Sequence, residues 1–382
     1  MVNRNIVVVG GGVVGLSTAC ALAAHPNVQV TVLERFTVGH VWSSSHGLSR
    51  AIRHEYGPDA IYTEMVARSL VLWAELAQET GQYLYTETGV LTMGQPDDGH
   101  TIPGYEVMRT AGLPVELLTP TECRKRFPSF TPTDYAAITY NPRGGMLHAS
   151  TCLAALAERL RARGGTIREG VQVRDVAPLG AGGRVAFADG TTLEADRVVV
   201  TAGPWVNDVL PDLHLPVRAT RQQVCYLGGL PTDHFGVGTF PVFLAGMHYY
   251  GFPLIGDGWF KVASHRIGAT VDPNIPYDVD SDEVADVRAF LRRAIPAAAD
   301  APLVSADCCM YDMSPDEDLI LDVHPAGAGV VIGAGFSGHG FKLSIVVGEM
   351  LAALALDEAP VVPLTKFRLA RFQSFSNNVA VK

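Results

Sequence analysis

Residues 5–15 read NIVVVGGGVVG, and residues 28–34 read VQVTVLE. Asn5 to Val9 is an unbroken apolar run of strand length, followed by the turn Gly10-Gly11-Gly12-Val13-Val14-Gly15 and a helix-compatible stretch from Leu16 to Ala24. Continuous rather than alternating hydrophobicity marks a strand covered on both faces, the habit of parallel sheets. Gly10 permits the tight turn, Gly12 lets backbone approach a pyrophosphate, and Gly15 lets helix and strand pack closely. Free amides at the helix start, around Val13 and Val14, then meet the phosphates. Glu34 ends the second strand, 19 residues past Gly15, where a carboxylate accepts the ribose hydroxyls of an adenosine. Strand, turn, helix, second strand and terminal acid together predict dinucleotide binding. This unit serves flavin and nicotinamide dinucleotides alike and leaves the choice open.

The chain has 382 residues, which at roughly 150 per domain predicts two domains or one large α/β body with an insertion. Apolar residues make up 48% and charged residues 18%, a balance that excludes overall disorder. With 29 Lys and Arg against 39 Asp and Glu the net charge is −10, the wrong sign for neutralising a phosphate backbone, so no nucleic-acid partner is expected. The cysteines, at 20, 123, 152, 225, 308 and 309, form no CxxC pair and no His/Cys cluster. Neither a disulfide framework nor a metal site is expected, and a reducing cytoplasm fits best. Residues 1–25 are apolar but broken by glycines and lack a small-residue cleavage site, so no signal peptide is expected. No later segment keeps the roughly 18 apolar residues that a membrane span needs.

Outward from the opening unit, VWSSSHGLSRAIRHEYG (41–57) reads as a loop, and an amphipathic helix is predicted from Ile61 to Thr80. Tyr83 to Met93 alternates as strands do. The turn Asn141 to Gly145 precedes a helix capped by Ser150 or Thr151 that reaches Arg163 and closes at Gly164 and Gly165. Val171 to Val176, Arg184 to Ala188, the turn Asp189-Gly190 and Arg197 to Thr201 read as a β-meander. From Arg221 to His265 the chain is strand-rich and aromatic, predicting an antiparallel sheet of different character. A helix from Asp282 to Ile295 is stopped by Pro296. The last section returns to the opening style, with a strand at Val330 to Ile332, the loop Gly333 to Lys342 and a helix from Leu343 to Leu356. The expected architecture is a mixed α/β fold, a Rossmann-like nucleotide domain interleaved with an antiparallel-sheet substrate domain. No internal repeat or low-complexity tract is present.

Arg50, Arg53 and His54, with His46 upstream, form a basic cluster in an acidic chain. Such a cluster holds a carboxylate, or else it is a set of surface charges or an ion pair with Glu55. Lys342 and His339, at the mouth of the last helix, supply a second basic element, and the two together suggest an anion clamp. In WFKVASH (259–265) strand alternation puts Lys261 and His265 on one face. That face is either an apolar cavity, where both side chains would be functional, or an edge strand in water. One of Tyr249 and Tyr250 must face the opposite side of the sheet. Cys308 and Cys309 read as buried thiols, with a strained vicinal disulfide as the minor alternative.

GGGVVG, SSSHGLSRAIRHEYG, YYGFP, WFKVASH, CCMYDMSPDEDLILD and GAGFSGHGFK, in that order along nearly the whole chain, resemble the monomeric sarcosine oxidase and N-methyltryptophan oxidase family of D-amino-acid-oxidase-like flavoproteins. The resemblance implies flavin adenine dinucleotide (FAD), bonded covalently through the cysteine before Met-Tyr, here Cys309. It implies a nucleotide domain of residues 1–84, 146–216 and 302–382 and a substrate domain of residues 85–145 and 217–301. It places Arg53 and Lys342 on the substrate carboxylate, Arg50 and His46 along the flavin edge and face, and Tyr250, His265 and Tyr311 around the substrate. Lys261 matches a lysine that holds a water against the flavin and promotes reaction with dioxygen, a fixed cation that would stabilise superoxide as it forms. Against the cofactor it places Gly10, Gly12, Val13, Val14, Gly15, Glu34, Arg35, Ser45, Arg50, Val173, Gly203, Trp205, Met310, Gly335, Gly338, Gly340 and Lys342, with Cys309.

The implied reaction removes a hydride equivalent from carbon next to a neutral amine, giving an imine that water hydrolyses, while dioxygen becomes hydrogen peroxide. The implied partners are a small amino acid and dioxygen, and the implied state is a monomer. PVFLAGMHYY (241–250) is shorter than the family's usual segment, and Leu244 stands where methionine is common. N-methyl amino acids larger than sarcosine, or cyclic imino acids of the pipecolate, proline or piperideine carboxylate type, therefore enter as substrates. A dehydrogenase passing electrons to another acceptor is the competing reading.

Overall fold

The computed structural model describes residues 4–372. Its first sheet has six strands in the order Ile320–Val323, Val330–Ala334, Arg197–Val200, Arg4–Val9, Val28–Leu33, Thr166–Arg168. All neighbours pair in parallel except the first two strands. The continuous apolar run is explained by what covers it. Ile6 and Val8 pack into one core with the helices Val13–Leu22, Ala60–Thr80, Ala149–Ala162 and Gly340–Ala355. Val7 and Val9 pack into another with Val176 and Val185 of a three-stranded antiparallel sheet. With both faces dry, no position from Ile6 to Val9 is left for a polar side chain, and the polar Arg4 and Asn5 lie at the exposed start of the strand.

That three-stranded sheet, Val173–Leu179, Gly182–Phe187 and Thr192–Ala195, corrects the predicted meander. Thr192–Ala195 is its third strand, and Arg197–Val200 instead enters the parallel sheet between Arg4–Val9 and Val330–Ala334. Local alternation gives a strand but not its partner, and only the buried valines 198 to 200 decide it.

The second large sheet runs Leu303–Met313, Arg218–Leu227, Trp259–Ser264, Tyr249–Ile255, Val242–Ala245, Val90–Gly94, Ala137–Asn141, Glu116–Leu118. It is mixed rather than purely antiparallel, because Val242–Ala245 runs parallel to Val90–Gly94. One face packs on the helix Ser281–Ala294 through a phenylalanine-rich core that includes Phe243, Phe260 and Phe290. The other face, with Val224, Tyr226, Phe252 and Ala263, looks toward the nucleotide body.

Leu303–Met313 pairs along its length with Arg218–Leu227, so a boundary at residue 302 cuts through this sheet; sheet membership moves the seam to between Met313 and Ile320. Likewise Tyr85–Glu87 pairs with Gly145–His148, which also pairs with Ser49–Ile52, across the expected seams at 84/85 and 145/146. The ends of the expected nucleotide domain, residues 1–3 and 373–382, lie outside the described residues.

Helix Gly340–Ala355 starts three residues earlier than its periodicity predicts, so Gly340, Phe341 and Lys342 form its first turn rather than a loop. It crosses Val13–Leu22 so closely that a Cβ at Gly348 would stand 2.5 Å from the Ser17 carbonyl carbon and 2.7 Å from Thr18 N. Backbone cannot yield as a flexible side chain does, so the two helices must separate to admit a methyl group. Gly348→Ala is therefore expected to destabilise the fold by about 1–3 kcal/mol, read as a lower denaturation temperature; an unchanged temperature refutes the close-crossing account.

Candidate active site

Between the two large sheets lies a cavity of about 830 Å³, at the upper end of the ~300–1,000 Å³ typical of small-molecule sites. One end is the glycine turn. Gly10 sits at φ +104°, and a Cβ there would meet Thr201 O at 2.3 Å; a Cβ at Gly15 would meet Gly10 O at 1.9 Å. Only glycine fits either place. At Gly12 a Cβ would touch only Ser45 Oγ, at 3.3 Å, and Ser45 Oγ accepts from Val13 N at 3.0 Å. Glu34 also fastens the turn: its oxygens accept from Gly11 N at 2.7 Å and Phe36 N at 2.8 Å. It remains on the cavity wall, and each oxygen keeps a further lone pair. Beyond it, Arg35 and the Trp205 indole both donate to Asn274 Oδ1, at 2.7 and 3.1 Å. A turn stripped of side chains at a helix N-terminus, with an acid at the next strand end, fits a dinucleotide.

The strand Ser49–Ile52 brings the basic residues to the other end. Arg50 is locked, its guanidinium donating to the carbonyls of Ser49 (2.9 Å), Ser44 (3.0 Å) and His46. His46 contacts Gly39 O at 3.0 Å through Nδ1. Arg53 and Lys342 share one ring: the guanidinium carbon lies 5.1 Å and Lys342 Nζ 5.2 Å from the Tyr56 centroid. Arg53 Nη1 is buried without a hydrogen-bond partner. Burial, then the neighbouring Arg53, pushes the Lys342 ammonium well below its ordinary pKa, against an opposing pull from Glu55.

The ion pair with Glu55 is not formed. Glu55 Oε2 accepts from Asn141 at 3.3 Å, and Oε1 is buried without a partner. His54 leaves the cluster too. It is 3% exposed, faces Asn141 Nδ2 at 3.3 Å and is pushed by burial to about 4. Alternation along the chain sends it behind the wall while Arg53 stays on it. His339 lies on the wall but is driven to about 3 by burial and Lys342, so it joins the clamp as a neutral ring.

Trp259–Ser264 is an interior strand, so the edge-strand alternative for Lys261 fails. Phe260 and Val262 point to the phenylalanine core, while Lys261 points into the cavity, 2% exposed. Its ammonium donates to Ser49 O at 2.9 Å and stands 4.9 Å from the Phe252 centroid. Burial and Arg50 lower it to about 7. Tyr249 turns to the far side, bonding Asp286 at 2.9 Å and stacking on Phe290. Tyr250 faces the cavity, its ring 5.9 Å from His265 and perpendicular to it. Tyr311 OH lies 3.5 Å from His265 Nδ1. Burial holds His265 neutral, at about 4, and raises both phenols.

Cys308 and Cys309 are free thiols. Both are half-buried rather than buried as expected: Cys308 Sγ lies 3.5 Å from Asp278 O, whereas Cys309 is near Arg50 and Lys261, whose charges oppose the upward push of desolvation on its thiol. Among the other expected residues, Val173, Gly203, Met310, Gly338 and Gly340 line the cavity. Gly15 and Gly335 do not; Gly15 packs the helix on its strand, and a Cβ at Gly335 would meet Ser314 at 3.1 Å.

Sequence reasoning missed Asp312. Burial raises its carboxyl to about 6, its Oδ2 accepts from Phe336 N at 3.1 Å and its carbonyl from Ser337 N at 3.0 Å. It pins a loop that needs left-handed backbone at Gly335, Ser337 and Gly338 before Lys342 is reached. The signal was an acid in the otherwise apolar run Met310-Tyr311-Asp312-Met313.

A parallel sheet with a glycine cradle, facing a second sheet that carries buried cations and aromatic rings, defines a dinucleotide-dependent redox enzyme. The chain belongs to the FAD dependent oxidoreductase family, which it matches over residues 5–354. It is 34% identical to the monomeric sarcosine oxidase of Bacillus sp. (strain B-0618) over 362 residues, 92% of each chain. It is 33% identical to the N-methyl-L-tryptophan oxidase of Yersinia pestis (strain Pestoides F), over 97% of this chain and 99% of that one. Among solved structures it resembles NikD, an unusual amino acid oxidase essential for nikkomycin biosynthesis, with a TM-score of 0.82 at 25% identity, covering 96% of this chain and 98% of that one.

Buried His54 carries a pH signature. Its pKa is lower in the fold than in the unfolded chain, so the unfolded chain takes up the proton first and His54 erodes stability as pH falls from about 6.5 toward 4. Between pH 7 and 5 the wild type should lose about 2 kcal/mol more than His54→Gln, by denaturant titration. Parallel losses would show that His54 protonates freely in the fold.

Proposed function

We propose that this FAD-dependent oxidoreductase oxidises the C–N bond of a secondary amino acid, N-methyl or cyclic, to an imine and reduces dioxygen to hydrogen peroxide. The observation that carries the reading is the pair Arg53 and Lys342, two cations around Tyr56 without a carboxylate partner, on a wall continuous with the glycine cradle. The sarcosine and N-methyltryptophan oxidases among its relatives support it.

Gly10, Gly12 and the amides at Val13 and Val14 would receive the pyrophosphate, and Glu34 the adenosine ribose. Bound there, FAD would supply the acceptor for the hydride equivalent and the two-electron link to dioxygen. Arg53 and Lys342 hold the substrate carboxylate and so fix which C–H bond is presented. An entering carboxylate also restores to Lys342 the charge that burial disfavours. Around the nitrogen, Tyr250, His265 and Tyr311 are neutral, and the nearby cations disfavour ammonium, so the amine sheds its proton before oxidation. Water then cleaves the imine to an amine and a carbonyl compound. Lys261, held by Ser49 O and lowered to about 7, is still partly protonated near neutral pH and supplies positive charge where electrons reach dioxygen, which favours an oxidase over a dehydrogenase. Cys309, between Arg50 and Lys261, is the attachment point for a covalent flavin: those charges favour the thiolate that bonding requires.

In air the protein should form one peroxide per secondary amino acid consumed. Arg53→Met and Lys342→Met should each lower kcat/KM by about 100-fold, corresponding to roughly 3 kcal/mol of charge-assisted hydrogen bonding. Turnover only with an artificial acceptor would make it a dehydrogenase, and unchanged kinetics in both variants would remove the clamp. Acid precipitation should leave the yellow chromophore in the wild-type pellet and release it from Cys309→Ala. A colourless wild-type pellet would show that the flavin is not covalent.

A further inference from the structure

The cavity has an apolar lip that the amine-oxidase chemistry leaves unused. The strands Val242–Ala245 and Tyr249–Ile255 are joined through Gly246 and Met247, both left-handed, at φ +55° and +60°. Such a conformation strains a side chain as large as methionine, and strain of this kind collects at ligand sites. Met247 spends it on placing its thioether at the cavity mouth, 38% exposed. The neighbouring loop adds Ile267, 46% exposed, on the same wall. His265 N donates to His248 O, which ties the two loops together. Leu244 lines the wall one strand residue below the turn. Two large apolar side chains held in water at the rim of a built cavity are a surface waiting for apolar cover.

The position of the lip says what covers it. On the proposed reading the carboxylate end of a substrate is fixed at Arg53, whose Nη1 is buried, and at buried Lys342. Arg53, Lys342, His265, His248 and Met247 line one cavity, with the His265 ring against Tyr250 and Tyr311 and its backbone amide bonded to His248 O on the lip, so one molecule anchored at the clamp extends past His265 toward Met247. Arg266, beside Ile267 on the same wall, is paired with Asp286 at 3.4 Å, so the lip itself presents no unpaired charge from it. We infer that Met247 and Ile267 form a side-chain subsite, and that the preferred substrate is a secondary amino acid with an extended apolar side chain rather than sarcosine. The inference rests on the amine-oxidase reading and narrows its substrate class.

The test compares peroxide formation by the holoenzyme on sarcosine, which is achiral, and on N-methylleucine and N-methylphenylalanine, each supplied as both enantiomers. The wild type should favour at least one of the larger substrates over sarcosine by 10-fold or more in kcat/KM. Met247→Gly suits the left-handed backbone and should keep or raise the denaturation temperature, yet lower that preference by about 10-fold, the scale of an apolar pocket contact. Ile267→Ser should lower it in the same direction. A wild-type preference for sarcosine, or a ratio unmoved in both variants, overturns the subsite while leaving the amine oxidase standing. Absence of turnover with these three and with proline and pipecolate overturns the amine-oxidase reading, and the subsite with it.

Discussion

Positive charge held largely out of water, with no carboxylate among the described residues in direct ion-pair contact, is the arrangement on which this protein turns. Arg53, Lys342 and Lys261 stand in or behind a largely apolar wall, and both lysines are driven toward losing their protons. Isolated buried charge is among the costliest things a fold can contain. It persists because the surrounding frame is rigid: Arg50 fastened to three carbonyls, Lys261 to Ser49 O, and the loop before Lys342 pinned by Asp312. On the proposed reading, the carboxylate of the substrate supplies the ion-pair partner that Arg53 and Lys342 do not have among the described residues.

The scaffold meets that demand with two sheets of opposite character. The parallel sheet is dry on both faces and presents its strand ends and glycine turn to the cavity. The mixed sheet is greasy on its phenylalanine side and chemically active on the other, so strand alternation sends Phe260 and Val262 to packing and Lys261 to the site. Tyr249 and Tyr250 divide in the same way. A single register slip in either strand would exchange the two sets and abolish the site. Stability and function are thus assigned residue by residue along the same strand.

The small strand Ser49–Ile52 joins the two bodies. It carries Arg50, precedes Arg53 and offers Ser49 O to both Arg50 and Lys261, so a cation of the mixed sheet is referred to the same short piece of backbone as the two arginines. The free acceptor capacity of that strand, rather than any salt bridge, sets how the positive groups are spaced.

The sequence by itself determined the nucleotide unit, because its signals are local: a two-face apolar run, glycines at fixed offsets, and an acid at the next strand end. It also made Arg53, Lys342 and Lys261 legible as unusual cations, through motif and alternation. Only the tertiary structure decided that Arg197–Val200 joins the parallel sheet and that Leu303–Met313 joins the mixed one, since pairing joins residues far apart in the chain and periodicity does not report it. Only the tertiary structure turned His54 away, left Glu55 without its ion pair, neutralised His339 and gave Asp312 a role. Those outcomes depend on burial and on which carbonyl or amide comes within hydrogen-bonding distance, quantities that exist only once the chain has closed on itself.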